Sequence, residues 1–315
     1  MESQVTYHIG IETGGTTCKV GIFQSPISAH HILASETIPT RHPDETVADI
    51  CAFFNKHEQY TYSSMGVAAF GPICLDKKDS LYGYVTTTPK EHWGNYPLLP
   101  NLLAGIKNKS PSMKIAFDTD VNMVALFENI RTGGGKSQNI AYITVGTGIG
   151  VGIVVNGQMV HGLIHPEGGH IRVPILNEDQ GFEGVCKYHG KCLEGLCTNV
   201  AIAKRFGHHV DENATKIKDD DQVWDRVGFY LGQCCANLIL FLSLEKIIIG
   251  GGVMNREILY PLIQKHCKEA LNGYISHPNL TSVEGLAKVI VKPEIEKDLG
   301  IIAAAVVGEG SEDTI

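Results

Sequence analysis

Apolar residues fall into two patterns along this chain: short runs that end in glycine, and longer stretches that recur every three or four residues. The stretches YHIGIETGGTTCKVGIF (residues 7–23) and IAYITVGTGIGVGIVVNG (residues 140–157) are of the first kind. Each reads as an apolar strand, a tight Gly/Thr turn and a second apolar strand, which is a hairpin pattern. Glycine admits the positive φ and close backbone approach such turns use. Two unrelated surface hairpins would share this pattern, but their recurrence about one lobe apart points to a duplicated architecture. Of the second kind, Val47, Ile50, Cys51 and Phe54 predict an amphipathic helix over Glu45–His57. SSMGVAAFGPI (63–73) reads as a buried strand ending in a Gly-Pro loop. KIAFDTDVNMVALFENIRTGGG (114–135) reads as a strand that ends at Asp118-Thr119-Asp120, then a helix capped by Asp or Thr and stopped at Gly133–Gly135. After an irregular region from Pro166 to about Cys197, Trp224–Leu244 carries a long apolar stripe. Residues 245–253 form a buried strand leading into a glycine triplet, and Lys297–Val307 is a last Ile/Ala-rich helix. The small, acidic end, Gly308–Ile315, is expected to fray. Strands alternating with helices predict an α/β class, and no low-complexity linker separates the halves.

Composition narrows this picture. A chain of 315 residues suits two lobes, and 43% hydrophobic with 19% charged residues is a globular balance. The formal net charge of -8 argues against nonspecific nucleic-acid binding, which needs a basic surface to displace counterions. Nine cysteines on a chain whose first residues are polar suit a reducing, cytoplasmic setting better than a disulfide framework. The longest apolar stretch, around Ala236–Leu244, is interrupted by Asn237 and Ser243, so no membrane span is expected.

Candidate chemistry lies in three places. Gly14-Gly15-Thr16-Thr17 and Gly146-Thr147-Gly148 offer oriented backbone N–H groups and threonine hydroxyls, a chemistry that binds phosphate. Neither is a Walker A loop, since no Gly-Lys-Ser/Thr follows, and the second runs into a strand and not a helix. Gly250–Gly252 adds a third such element. His170, Cys186, His189 and Cys192 form an H-x15-C-x2-H-x2-C pattern of thiolate and imidazole donors, suited to a closed, structural tetrahedral Zn²⁺ site. Free thiols and surface histidines in a loop are the alternative there. The pairs His30-His31 and His208-His209 lack cysteine partners and are expected to be solvated. Finally, Glu12, Asp118, Asp120 and Glu167 are each placed to act as a general base, and the residues alone do not rank them.

The ordered set GIETGGT, DTDVN, VGTGIGVG, HPEGGH, the C-x2-H-x2-C-LEG run and IIIGGGVM resembles the ROK family of sugar kinases and repressors, from about residue 7 to about 305. His189 in the metal pattern, the HPE form and GYVTTTPKEHWGNYPL (83–98) resemble its bacterial fructokinase branch. The resemblance implies an actin-like ATPase (ribonuclease H-like) fold with two α/β lobes around a central cleft. A small N-terminal lobe (1–118) would be completed by the C-terminal helix (about 297–315), and a large lobe (119–296) would carry a zinc-binding insertion (about 166–197). It also implies Asp120 as general base. Gly71, Thr119, Asn122, Glu167, His170 and Glu194 become sugar contacts, and His170 is shared with the zinc. Glu12, Gly14, Gly15, Thr16, Thr17, Thr147, Gly148, Gly251 and Gly252 become nucleotide contacts. ATP with Mg²⁺, a structural Zn²⁺, a hexose substrate and a homodimer follow from the same resemblance. The expected reaction is fructose phosphorylation, with mannose or glucose as the alternative substrate. Thr17 stands where such proteins usually carry Lys or Asn, which removes a possible charge near the phosphates. Thr119 stands where glucokinase-type members usually have Asn. A sugar-responsive repressor is the rival from another class. It is not expected, because the first hairpin opens by residue 7 and leaves no room before it for a helix-turn-helix domain.

Overall fold

A computed structural model describes residues 5–133, 138–207 and 217–314. The pair His208-His209 lies outside the described residues. The chain divides into two compact units, one of residues 1–134, 160–165 and 295–315, the other of residues 135–159 and 166–294.

The first unit holds β1 (Tyr7–Thr13), β2 (Thr17–Gln24), β3 (Ile32–Pro39), α1 (Pro43–Asn55), β4 (Tyr62–Ala69), α2 (Leu98–Gly105), β5 (Lys109–Thr119), α3 (Asp120–Thr132) and the chain's final helix, Leu299–Gly310. Its sheet runs β3-β2-β1-β4-β5. The β1–β2 hairpin is antiparallel, and β4 and β5 join β1 in parallel. Alternation along the strands sends Ile9, Ile11, Val20, Ile22, Met65 and Val67 to a core shared with Phe54, Trp93 and Leu98. The final helix is small-faced for a reason. A Cβ on Gly10 would lie 2.0 Å from the Ile301 carbonyl oxygen, and one on Gly66 only 1.8 Å from that of Ala304. Glycine in the strands and alanine in the helix therefore set how closely backbone lies on backbone.

Two expectations differ from what is seen here. The chain end does not fray as a unit: the helix runs to Gly310, Ile115 N–H donates to Asp313 O (2.8 Å) and Ser311 Oγ to Ile115 O (2.6 Å). The outer edge of β5 has backbone groups to satisfy, and the tail satisfies them. Helix α3 also packs on the final helix and on β4, so the first compact unit extends beyond residue 118.

The second unit holds β6 (Ile140–Val145), β7 (Ile149–Val155), β8 (Gln158–Met159), α4 (Leu193–Cys197), α5 (Asn199–Phe206), α6 (Gln222–Leu242), β9 (Lys246–Gly250), α7 (Leu259–Leu271), α8 (Val283–Leu286) and β10 (Ile290–Val291). Its sheet order, β10-β9-β6-β7-β8, repeats that of the first unit read from the other side. An antiparallel hairpin again sits inside, with β9 and then β10 added in parallel. The duplication expected from the two glycine hairpins is thus present in the strand order. Helix α6 buries Val223, Val227, Leu231, Cys234 and Cys235, the stripe its periodicity predicts. No described helix is long and apolar enough to cross a membrane.

Candidate active site

In the first unit the parallel strands end together. Glu12 lies opposite Ala68, and Ala69 opposite Thr119, so the ends of β1, β4 and β5 form one edge. Ligands of α/β sheets bind at such carboxyl edges. The Gly14–Thr16 turn leaves this edge from β1 and is closed by Gly14 N–H donating to Thr17 O (3.0 Å). Its glycines have ordinary φ, as do Gly146 and Gly148, so positive φ is not what requires them. At Gly14 the reason is proximity, since a Cβ there would meet Thr17 O at 2.7 Å. Gly71 follows β4 in the adjacent loop, where Phe70 N–H donates to Thr13 O (3.2 Å).

The Asp-Thr-Asp turn closes β5 and opens α3. Thr119 Oγ1 caps the helix by accepting from Asn122 N–H (3.2 Å), which leaves Asp120 as the first helical residue. Asp120 is half-buried, and its Oδ1 accepts from Val121 N–H (2.9 Å). Asp118 is only 2% exposed and both its oxygens are engaged. Oδ1 accepts from Thr119 N–H (2.7 Å) and Asn122 Nδ2 (2.8 Å), and Oδ2 lies 2.7 Å from His161 Nε2. Among the four candidate bases Asp118 is therefore a brace for the turn. Asn122, expected to touch sugar, is fully buried with its carboxamide on Asp118. The hydrogen bond to Asp118 raises the His161 pKa against the opposing effect of burial. Glu12 packs against the final helix so closely that a Cβ on Gly300 would lie 2.2 Å from its carboxyl carbon. Burial raises its pKa, with Lys19 opposing and Asp298 adding.

In the second unit the ends of β6 and β9 carry the other glycine elements side by side, with Thr144 opposite Gly250. Gly251 has φ 95° and its Cβ would lie 2.5 Å from Val145 N, so only glycine fits where the two turns meet. Gly146-Thr147-Gly148 is closed by Gly146 N–H donating to Gly148 O (2.9 Å), and Gly252 starts a short 3-10 turn. Glu194 on α4 reaches this turn: its Oε2 accepts from Ile149 N–H (3.1 Å), while Oε1 lies 4.0 Å from His170 Nδ1. Burial, followed by repulsion from Glu194, pushes Glu167 up to about 7.

The four soft donors converge. Ligand atoms of His170, Cys186, His189 and Cys192 all lie within 4.8 Å of one another. Cys186 Sγ is 3.7 Å from His170 Nδ1 and 3.6 Å from His189 Nδ1, and Cys192 Sγ is 3.5 Å from His170 Nδ1. A tetrahedral Zn²⁺ with bonds of ~2.3 Å to sulfur and ~2.0 Å to nitrogen sets such pairs ~3.5 Å apart, so this donor set fits that ion. Burial pushes the Cys192 thiol up to about 11, so a thiolate at this position calls for a cation beside it. The insertion has a second anchor that the spacing did not reveal. Buried Asp179 accepts from Arg205 Nη2 (2.9 Å), Arg226 Nη1 (2.9 Å) and Tyr230 OH (2.7 Å).

Each unit thus gathers glycine turns, one in the first and two in the second, beside a group of acidic or metal-type side chains. Besides the Asp179 anchor, the sequence reading did not single out His161 or Lys90, whose Nζ donates to Gly15 O in the first glycine turn. His161 lies in a loop with nothing distinctive about it beyond proximity to HPEGGH. Lys90 sits within the 83–98 stretch but has no motif partner nearby. The sequence model of the ROK family matches residues 8–307. The chain belongs to the ROK family. The ROK relatives it resembles include a fructokinase of Zymomonas mobilis, 34% identical over 307 residues that cover 96% of both chains. A fructokinase of Lactococcus lactis is 36% identical over 272 residues, 86% of this chain and 88% of its own. The crystal structure of a ROK family glucokinase from Streptomyces griseus, in complex with glucose and AMPPNP, superposes with a TM-score of 0.71 at 21% identity, covering 98% and 100% of the two chains. The fold is the actin-like ATPase fold of ROK proteins, as the motifs implied.

Proposed function

We propose that this protein is an ATP-dependent hexose kinase that phosphorylates D-fructose to D-fructose 6-phosphate. The observation that carries this reading is the acidic turn at the end of β5. It presents a half-buried carboxylate, Asp120, at a helix start, braced by Asp118 and on the same sheet edge as the Gly14–Thr16 turn. Phosphoryl transfer asks the protein mainly for positioning and for a group to receive the hydroxyl proton. In this reading Asp120 takes the proton of the sugar's 6-hydroxyl as that oxygen forms its bond to the γ-phosphorus. The bond from phosphorus to the β–γ bridging oxygen breaks, and ADP leaves with its electron pair. Gly14, Gly15, Thr16, Thr147, Gly148, Gly251 and Gly252 are the residues that would supply phosphate-binding N–H and hydroxyl groups. Glu167, His170 and Glu194 accept or donate at the remaining sugar hydroxyls. Mg²⁺ would accompany the nucleotide, and Glu12 is the acidic residue of β1 that could face it. Zn²⁺ on His170, Cys186, His189 and Cys192 is structural: it fixes the His170 ring and with it one wall of sugar contacts.

The similarity to fructokinases supports fructose over glucose or mannose, which share most hydroxyl geometry and remain the alternative substrates. Nine free thiols support a reducing, cytoplasmic location. The exposed Leu240 and Phe241 at the end of α6 offer apolar surface to a second copy, in keeping with a homodimer. A coupled ADP-release assay across fructose, mannose, glucose and N-acetylmannosamine, with and without a zinc chelator, tests the reading. Fructose is expected to give the highest kcat/KM, by about 10-fold or more. Turnover of none of the four sugars would remove the kinase assignment, and a preference for glucose would move the substrate.

A further inference from the structure

The turn between β1 and β2 contains no charged residue, yet a lysine from far along the chain lies on it. Lys90 Nζ donates to Gly15 O (2.5 Å) and to Thr40 O (3.4 Å). Thr40 belongs to the same assembly: its Oγ1 donates to Gly14 O (2.7 Å) and its N–H to Thr16 O (2.9 Å). The segment bearing Lys90 is itself fixed. Fully buried Trp93 donates from Nε1 to Arg41 O (3.0 Å) and meets Phe70 edge-on at 5.1 Å. Thr86 N–H donates to Pro72 O (2.8 Å), tying the segment to the loop that carries Gly71.

An ammonium group has three N–H donors. Two are used on backbone oxygens, and among the described residues Lys90 has no carboxylate partner. The other lysine at this edge, Lys19, is engaged by Asp298 at 3.3 Å. A turn that binds a polyanionic phosphate through neutral N–H groups alone leaves the developing charge uncompensated, and a positioned cation supplies what is missing. We propose that Lys90 is the cation of the first glycine turn, held over Gly15 so that its third N–H meets a terminal phosphate oxygen of ATP. The proposal rests on the ATP-kinase reading above. It assigns a task to the 83–98 segment, which that reading leaves without one.

The test uses three variants of the full chain, all assayed beside the unmodified protein for kcat, for KM of ATP and of sugar, for Tm, and for ATP–Mg²⁺ affinity by calorimetry. Lys90→Gln keeps N–H donors for Gly15 and Thr40 but removes the charge. Lys90→Arg keeps the charge. Thr17→Lys in the Lys90→Gln background returns a cation to the turn from exposed position 17. The expected result is a fall in kcat/KM for ATP of about 10–100-fold in Lys90→Gln, the scale of one charge-assisted hydrogen bond. The KM for sugar and the Tm should change little, Lys90→Arg should stay within about 5-fold, and Thr17→Lys should recover part of the loss. Three results overturn the proposal: unchanged ATP kinetics in Lys90→Gln, a rise confined to the sugar KM, or a loss in Lys90→Arg as large as in Lys90→Gln that tracks a lowered Tm. If the unmodified protein turns over no hexose, the kinase reading has failed. Calorimetry then decides Lys90 by itself, because equal ATP affinity in Lys90→Gln and the unmodified protein also overturns the proposal.

Discussion

The two sheets share one strand order, and each ends its inner hairpin in a glycine turn, but the groups beside the two turns are held by different physics. In the first unit Asp118 organises its surroundings through hydrogen bonds from Thr119, Asn122 and His161. In the second, the order comes from four soft donors spaced for one ion and from Glu194 bridging towards the glycine turn. Hydrogen bonds onto one buried carboxylate fix the backbone of its turn, which suits the base role proposed for Asp120 beside it. A chelated ion would instead fix an imidazole rigidly, which suits the sugar contact proposed for His170. A duplicated scaffold therefore does not imply duplicated chemistry.

The largest expected effect divides the two aspartates of the first turn. Asp120→Asn should lower kcat about 10²–10⁴-fold, the usual reach of a general base, with Tm and sugar KM little changed. Asp118→Ala should instead lower Tm, because it strands buried donors at about 1–3 kcal/mol. Initial rates and thermal melts of the two variants make the contrast, and near-normal turnover in Asp120→Asn would place the base elsewhere. Next in size is the second unit's metal set. Chelation, or Cys192→Ala, should raise the sugar KM about 10–100-fold through the loosened His170, while the ATP KM holds. An ATP KM that rises first would detach the four donors from the sugar side.

Much of this contrast was legible in the sequence because the signals are local. Strand–Gly/Thr–strand runs gave both hairpins, and the order of motifs implied the fold. The C-x2-H-x2-C half of the metal set is a seven-residue signal, and the Asp-Thr-Asp turn marks the start of α3, though which of its residues caps the helix, Thr119, is seen only in the structure. What stayed hidden depends on chain segments meeting from afar. Asp118 looks as eligible a base as Asp120 until His161, 43 positions on, occupies its second oxygen. Lys90 lies 75 positions from Gly15, and no spacing rule links them. The tail looked too small and acidic to be ordered, but the open edge of β5 gave its backbone a partner. At Gly14 the reason for glycine is crowding against Thr17 O, and only at Gly251 is it also the positive φ that glycine usually advertises.

A smaller effect sharpens the comparison through pH. Glu167 is pushed up to about 7 by burial and by Glu194. As a hydroxyl acceptor it works best ionised, so sugar KM should fall as pH rises through about 7, and Glu167→Gln should flatten that profile. The stability sign is the reverse. A carboxyl whose folded pKa is raised holds its proton more tightly when folded, so its contribution is present at low pH. That contribution is lost as pH rises from about 4.5 towards 7. Thermal melts at pH 5 and pH 8 should therefore differ less in Glu167→Gln than in the parent. Zn²⁺ on the neighbouring donors should shrink both differences, since a nearby cation favours the ionised carboxyl.

The smallest effect belongs to His161, and it tests whether the first unit's edge really stores a movable proton. The bond to Asp118 raises the His161 pKa above 6.5, and a histidine whose folded pKa is raised stabilises most fully below its unfolded value. That contribution should fade as pH climbs from about 6.5 through the raised folded value. With the side chain 40% exposed, solvent screens the pair, so a few-fold change in kcat is the scale to expect. His161→Gln keeps an N–H for Asp118 Oδ2 and removes the titration. It should retain most turnover at neutral pH while losing the alkaline decline that His161 imposes. His161→Ala, lacking the donor as well, should be a few-fold slower at every pH, with sugar and ATP KM values unchanged, because the brace acts on the turn and not on either substrate. A pH profile identical in all three proteins would show that Asp118 holds the turn without help. The edge of the first unit would then be as rigid, in its own way, as the metal set of the second.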